Sequence, residues 1–375
     1  MKSSRAFAVI FGCAALLSAT RAAEPIKIGE IEPMTGKEAA FGQSAHRGIE
    51  MAVDEINAAG GILGRPLLIV LEDNQSKPGD TATVGKKLVS REKVVAVLSG
   101  GTSSGCLEAA PIFQAARVPF IATTATSPEV TEKRDYIFRT CFIDPFQGAV
   151  LARFAINTLK AKRVAVITSV STAYSVGLGK VFRERFTALG GEIIIEQKYA
   201  EGDKDFRAQL TAIRATKPDA IFSTGFYTEG ALACKQAREL GITVPLFGGD
   251  GWEAPELVEI GGKAVDGCYY SSHYSSESTA PDVRAFVNKY RERYHGETPE
   301  SMAPLAYDAL RIVAQAITRA GATDGPKLRE ALANTKNYPG VTGRTTIDAQ
   351  RNASKPAVIL VVKDGRPQYV ETIEP

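Results

Sequence analysis

Short runs of branched apolar residues alternate along this chain with longer stretches whose apolar positions recur at helical spacing. The first run covers 26–31. The stretch 44–59 follows it and carries Ile49, Ala52, Val53 and Ile56 on one stripe, which predicts an amphipathic helix. Next come a strand at 67–71, a helix over 80–91, a strand at 94–98, a helix from Ser104 and a strand at 118–121. Gly60-Gly61 and Gly64-Arg65-Pro66 stop the first helix, because Gly suits a helix end and Pro cannot continue one. Such alternation predicts a parallel sheet with helices on both faces.

A second copy of the pattern begins near Asp144. Helices are expected at 146–159, 176–189, 206–215 and 229–240, with strands at 164–168, 193–197, 220–223 and 244–247 between and after them. From His273 the chain turns helix-rich, at 282–294, 301–320 and 326–333, and it ends in strand-like runs at 345–347, 357–362 and 368–371. No short tandem repeat is present; the repetition is of whole lobes. No Pro/Gly/Ser-rich linker separates the halves, so several short crossings should join them, which suits a hinge. The 375 residues also exceed what one core usually supports.

The first residues change the reading of compartment and charge. Lys2 and Arg5 precede an apolar run over 6–19, and Ala22 or Ala23 offers a small-residue cleavage site, the layout of a secretory signal peptide. A lipoprotein signal ending at Cys13 is the competing reading. The run is shorter than the about 20 apolar residues of a membrane span, and no later segment is long enough, so the mature chain is expected to be soluble and periplasmic. Three of the 45 basic residues fall in the leader and none of the 42 acids does, so the mature chain balances at 42 against 42. Net charge therefore gives no indication of a nucleic-acid partner. Cys106, Cys141, Cys234 and Cys268 remain after Cys13 is set aside. None are spaced as a zinc site, and three full disulfide pairings are open, with proximity in sequence favouring Cys106–Cys141 and Cys234–Cys268.

Ligands of doubly wound sheets sit beyond the carboxyl ends of the strands, near helix N-termini. After the strand at 94–98 runs Ser99-Gly100-Gly101-Thr102-Ser103-Ser104-Gly105, whose glycines admit close backbone approach and whose hydroxyls could hold a carboxylate; the plainer reading makes Ser103 or Ser104 an N-cap. After 118–121 runs Ala122-Thr123-Thr124-Ala125-Thr126-Ser127-Pro128, four hydroxyls in six residues. In the second copy, Tyr174, Phe226-Tyr227 and Gly249-Asp250-Gly251-Trp252 follow strands. Asp250 is a candidate partner for a cation, and the aromatic residues could cover an apolar side chain.

Enzyme motifs fare poorly. Gly101-Thr102-Ser103-Ser104-Gly105 fits the G-x-S-x-G nucleophile elbow, but a triad needs a later histidine, and only His46, His273 and His295 exist. Gly85-Lys86 and Gly177-Leu178-Gly179 lack the remaining glycines of nucleotide-binding loops. No cofactor and no metal are indicated.

From Ile26 nearly to its end the chain resembles the leucine/isoleucine/valine-type periplasmic binding proteins of ABC importers. The matching stretches are Gly36 with Phe41-Gly42, EMAVDEINAAGG at 50–61, Glu72-Asp73, Thr102-Ser103-Ser104, ATTATSPEVT at 122–131, Phe138-Arg139-Thr140, Asp144 with Gln147-Gly148, and Ala173-Tyr174. The resemblance implies an α/β type I periplasmic-binding-protein fold: two doubly wound lobes, 24–143 with 273–350 and 144–272 with 351–375, joined by three crossings. It implies that Ser103 and Thr126 bind a ligand carboxylate, that the Thr124 carbonyl, Thr126 and Asp250 hold an ammonium, and that Phe41, Tyr174 and Phe226 enclose the side chain. Ser104 from the hydroxyl-rich loop and Trp252, additional bulk relative to the family, complete the candidate ligand-binding residues. Asp250 stands where the best-known members carry Glu, and Phe226 where they carry Tyr.

The function so implied is non-catalytic: a monomer captures a small amino acid, branched-chain or aliphatic, and delivers it to membrane permease subunits. The alternatives are a binding protein for an aromatic or other acid without an amine, a ligand-sensing module, and a hydrolase using Ser103. Asp250 argues against the amine-free acid, since an unpaired buried carboxylate is costly.

Overall fold

The computed structural model describes residues 23–375; the leader expected at 1–22 and Cys13 lie outside them. The chain first builds β1 (Ile26–Glu32), α1 (Ala39–Ala58), β2 (Leu67–Asp73), α2 (Asp80–Lys87), β3 (Ala96–Ser99), α3 (Ser103–Ala116), β4 (Phe120–Ala122) and β5 (Ile137–Arg139). All five strands are parallel, in the order β2-β1-β3-β4-β5.

It then builds α4 (Asp144–Asn157), β6 (Arg163–Ser169), α5 (Ala173–Ala188), β7 (Glu192–Tyr199), α6 (Arg207–Thr216), β8 (Ala220–Ser223), α7 (Tyr227–Glu239), β9 (Leu246–Gly248), α8 (Pro255–Gly261) and β10 (Tyr269–Ser272). The parallel part of this second sheet runs β7-β6-β8-β9-β10, the same order as the first. The helices α9 (Pro281–Arg293), α10 (Met302–Ala320) and α11 (Gly325–Ala333) follow, and α10 packs along α1. A small sheet of β11 (Tyr338–Gly340), β12 (Gly343–Ile347) and β13 (Ala353–Ser354) leads to β14 (Ala357–Lys363) and β15 (Arg366–Ile373), which extend the second sheet antiparallel beyond β10. The chain thus passes between the sheets at 140–143, 273–280 and 348–356.

The central strands β3, β4, β5, β8 and β9 are wholly buried because helices cover both faces of the sheets there, while the edge strands β7 and β15 are partly exposed. In both sheets the order reverses beside the first strand of the unit, β1 in one and β6 in the other. Connections leaving neighbouring strands there diverge to opposite faces and open a crevice at the strand ends. The two crevices face each other.

Some boundaries differ from the sequence expectation. The first helix begins at Ala39 rather than 44, because Phe41, Gly42 and Ala45 already face inward. Gly42 lies against Pro33, where an added Cβ would stand 2.5 Å from the carbonyl oxygen. Polar Gln43 and Ser44 hide that turn from the apolar periodicity. The strands β5, β10, β11 and β13 are absent from the sequence expectation; two to four residues are too few to display a period. No helix among the described residues is long and apolar enough to cross a membrane.

Candidate functional site

The loops leaving β3 and β4 form one wall. Thr102 caps α3, its Oγ1 accepting from the Gly105 amide at 3.3 Å, so neither Ser103 nor Ser104 serves as the cap. Ser103 is left to point across: its Oγ accepts from the Ser127 amide at 3.2 Å and keeps its proton to donate. The Thr124 hydroxyl donates to the Gly100 carbonyl at 2.9 Å, which ties the two loops together. Thr126 is 1% exposed, and its hydroxyl makes no hydrogen bond of good geometry within the protein, although the Asp144 carboxylate lies close enough to be stabilised by it. A buried hydroxyl without a well-formed hydrogen bond costs about 1–3 kcal/mol, which marks this one as awaiting a ligand atom.

Arg139, fully buried at the end of β5, fastens the 125–131 turn from behind. Its guanidinium donates to the Ala125 carbonyl at 2.7 Å and the Ser127 carbonyl at 2.6 Å. These bonds fix the backbone on either side of Thr126.

The loops leaving β6, β8 and β9 form the opposite wall. Tyr174 opens α5 and its hydroxyl accepts from the Gly251 amide at 3.1 Å. Its ring stacks on Phe226, with centroids 5.6 Å apart. Phe226 meets Phe41 from the first lobe edge-on at 5.9 Å. Asp250 follows β9 and is 4% exposed. Its Oδ1 accepts from Gln147 Nε2 at 2.6 Å and its Oδ2 from His273 Nε2 at 3.0 Å. Gln147 stands on α4 just past the first crossing, and His273 begins the second. Burial lowers the His273 imidazole pKa, which keeps the ring neutral with its proton on the nitrogen facing Asp250.

Between the walls lies a cavity of about 30 Å³ lined by Phe41, Ser103, Thr124, Thr126, Tyr174, Phe226 and Asp250, together with Gly101, Thr102, Gly251 and Met302. That is a tenth of the lower bound of the roughly 300–1,000 Å³ of small-molecule sites, so the two walls stand nearly closed on each other and a ligand enters only if they part. Hydroxyls and the first amides of α3, at its positive end, face a carboxylate, while aromatic rings cover the flank. Larger clefts elsewhere flank the second crossing and lack this convergence of loops from both sheets.

Two of the nine residues singled out in the sequence do not line the cavity. Trp252 is fully buried, turned back into the second lobe by the short turn at Asp250–Trp252. An added Cβ on Gly230 or Gly248 would stand 2.7 or 2.4 Å from its ring, so it is a packing residue. Ser104 lies one step round α3 from Ser103. Its Oγ accepts from the Ala173 amide at 3.3 Å, spanning the lobes beside a separate polar cleft. That cleft also holds Lys37 of the first lobe, 2.5 Å from Glu201 of the second.

Sequence reasoning missed Met302, Gln147 and His273 as parts of the site. Met302 belongs to a helix that returns to the first lobe from far along the chain, and no local signal announced it. His273 was weighed only as a hydrolase base; in the structure it serves Asp250, His46 binds Glu30, and His295 is exposed. Ser103 therefore has no histidine to activate it. No group of three or more His, Cys, Asp or Glu residues among the described residues could hold a metal.

Residues 25–367 match a family model described as periplasmic binding protein. Over 323 residues the chain is 33% identical to an amino acid binding protein of Pseudomonas aeruginosa, covering 85% of this chain and 84% of that one. Its fold is similar to the crystal structure of a leucine binding protein, LivK, from Thermotoga maritima: TM-score 0.90, 40% identity, 93% of this chain and 99% of the other covered. It is also similar to the branched-chain amino acid transporter substrate binding protein LivJ of Streptococcus pneumoniae in complex with isoleucine: TM-score 0.89, 36% identity, 94% and 100% covered.

Proposed function

We propose, from the premise that this chain belongs to the periplasmic binding protein family, that it captures a small amino acid with a branched or aliphatic side chain and delivers it to an ABC importer. One observation carries the reading. Across a single small cavity, the Thr126 hydroxyl and the positive end of α3 face the buried Asp250 carboxylate. An anion acceptor and a cation acceptor at that spacing complement a zwitterion, and the rings of Phe41, Tyr174 and Phe226 suit an apolar side chain.

In this reading the lobes 24–143 with 273–350 and 144–272 with 351–375 move as bodies about the three crossings. The ligand carboxylate meets Ser103, Thr126 and the α3 amides on the open first lobe. Closure then brings Asp250, Tyr174 and Phe226 onto the ammonium and side chain, with the Thr124 carbonyl as a further acceptor. Burying both charges is favourable only when each is paired and hydrogen-bonded, so the closed state selects ligands that carry both. The leader directs export and is removed near Ala22 or Ala23. The closed monomer then docks on permease subunits.

A thermal-shift screen of the ligand-stripped protein against the twenty amino acids and a panel of aromatic and aliphatic acids tests the reading. Ligand at 100 times its dissociation constant stabilises by about 2.7 kcal/mol. The expected result is a rise with leucine, isoleucine or valine. A rise confined to acids without an amine would overturn the role of Asp250.

A further inference from the structure

All four cysteines of the described residues are buried, but they fall into two kinds. Cys106 lies against the Ser99 hydroxyl at 3.8 Å and Cys141 against the Ala125 carbonyl at 3.4 Å. Burial pushes both thiols up to about 12, where thiolate is scarce and the sulfurs are inert. Cys234 stands on α7 and Cys268 immediately before β10, and their sulfurs are 3.4 Å apart. Arg238, one turn along α7, directs its guanidinium to Cys268 Sγ at 4.0 Å. The hydrogen bond from Cys234, aided by the Arg238 charge, lowers the Cys268 thiol. In the native lobe Cys268 is thus the more acidic of the two.

We propose that Cys234 and Cys268 form a disulfide that staples α7 to β10 within the second lobe. The Cys268 thiolate attacks one sulfur of an oxidising disulfide, from a thiol–disulfide oxidoreductase or glutathione disulfide, and displaces its other half as a thiol. Cys234 gives up its proton and attacks Cys268 Sγ in the mixed disulfide, releasing the second thiol. Two protein thiols lose two electrons and two protons, and the oxidant is reduced to two thiols. Both sulfurs are covered in the folded lobe, so the exchange belongs to folding, before α7 seats.

The bond would close a loop spanning 34 positions, and loop closure stabilises chiefly by restricting the unfolded chain. It also ties together two elements of the site. Helix α7 starts at Tyr227, directly after Phe226, and β10 leads into His273, which holds Asp250. Oxidation should therefore raise the melting temperature by several degrees and leave ligand affinity nearly unchanged.

The test is thiol counting with peptide mapping. Denatured, reduced protein is refolded in a glutathione redox buffer, denatured again without reductant, alkylated and digested. The expected result is two alkylated cysteines, Cys106 and Cys141, a cross-linked Cys234–Cys268 peptide that Cys234→Ser abolishes, and a melting temperature that dithiothreitol lowers. Alkylation of Cys234 and Cys268 in the refolded protein, or a bond joining any other pair, would overturn the proposal. This assay uses no ligand, so its outcome is independent of the ligand assignment.

Discussion

The two walls of the cavity hold their key groups in different ways. On the first lobe, Ser103 and Thr124 are fixed by backbone groups of adjacent loops, and Arg139 pins the turn that carries Thr126. The turn also meets the first crossing, where the Asp144 amide donates to the Thr126 carbonyl at 3.0 Å. On the second lobe, Asp250 is held by side chains 103 and 23 residues away, each at a crossing between the lobes. The first wall is preformed, so it costs the ligand little ordering. In the proposed reading the second couples the ligand's positive charge to the segments about which the lobes turn. In this account the carboxylate is what the open protein recognises, and the ammonium is what closes it.

Asp250→Ala should break that comparison most severely. Losing one partner of a buried charge pair costs about 2–5 kcal/mol, roughly thirtyfold or more in affinity. Calorimetric titration should show that loss, and the ligand-free protein should also melt lower because Gln147 and His273 lose their shared buried acceptor. An affinity change below threefold would remove Asp250 from the site.

Asp144 sharpens the comparison from the hinge side. It begins α4 and is fully buried, and burial, only partly offset by the nearby Thr126 hydroxyl, pushes its pKa from 3.8 up to about 8. The folded state then binds this proton more tightly than the unfolded chain does, so stability is greatest below the unfolded value and falls as pH rises from about 4 to about 8, by at most about 1.4 kcal/mol per unit. Asp144→Asn should flatten that part of a melting-temperature profile, and an unchanged slope would assign the pH dependence elsewhere. The buried Glu38, raised to about 8 at the lobe boundary, adds a slope of the same sign that the variant leaves in place.

Thr126→Val keeps the shape of the first wall and removes one hydrogen bond, for about 1.5 kcal/mol or roughly tenfold in affinity. An equal loss for an amino acid and its amine-free analogue would assign the Thr126 hydroxyl to the carboxylate alone; a larger loss for the amino acid would show that it also accepts from the ammonium. The smallest effect belongs to Lys37→Ala, which breaks the interlobe pair with Glu201. Partly exposed pairs contribute about 0–1 kcal/mol, so binding should weaken less than about fivefold, and less again at high salt. A larger, salt-independent loss would show that the boundary, not the cavity, governs closure.

The alternation of strands and helices was legible because both sheets bury both faces, and apolar runs five or six residues long announce themselves. The first wall was legible for a related reason: its hydroxyl-rich loops follow strands directly, and the position of a loop at a strand end is a local fact. The second wall was legible only in part. Asp250 stood out between glycines, but nothing in a linear pattern joins it to Gln147 and His273, which only folding brings together. Trp252 and Ser104 were adjacent in sequence to true lining residues and were drawn in by that adjacency. One residue along a turn or helix rotates a side chain to another face, and the sequence holds no record of which face is the cavity.

The most direct test compares the amino acid giving the largest thermal shift with its analogue lacking only the amine, titrated calorimetrically into the wild-type protein and Asp250→Ala. The account predicts that the wild type prefers the amino acid by at least about thirtyfold and that the variant loses most of that preference. Equal binding of the two ligands by the wild type, or a preference that survives in the variant, would contradict it.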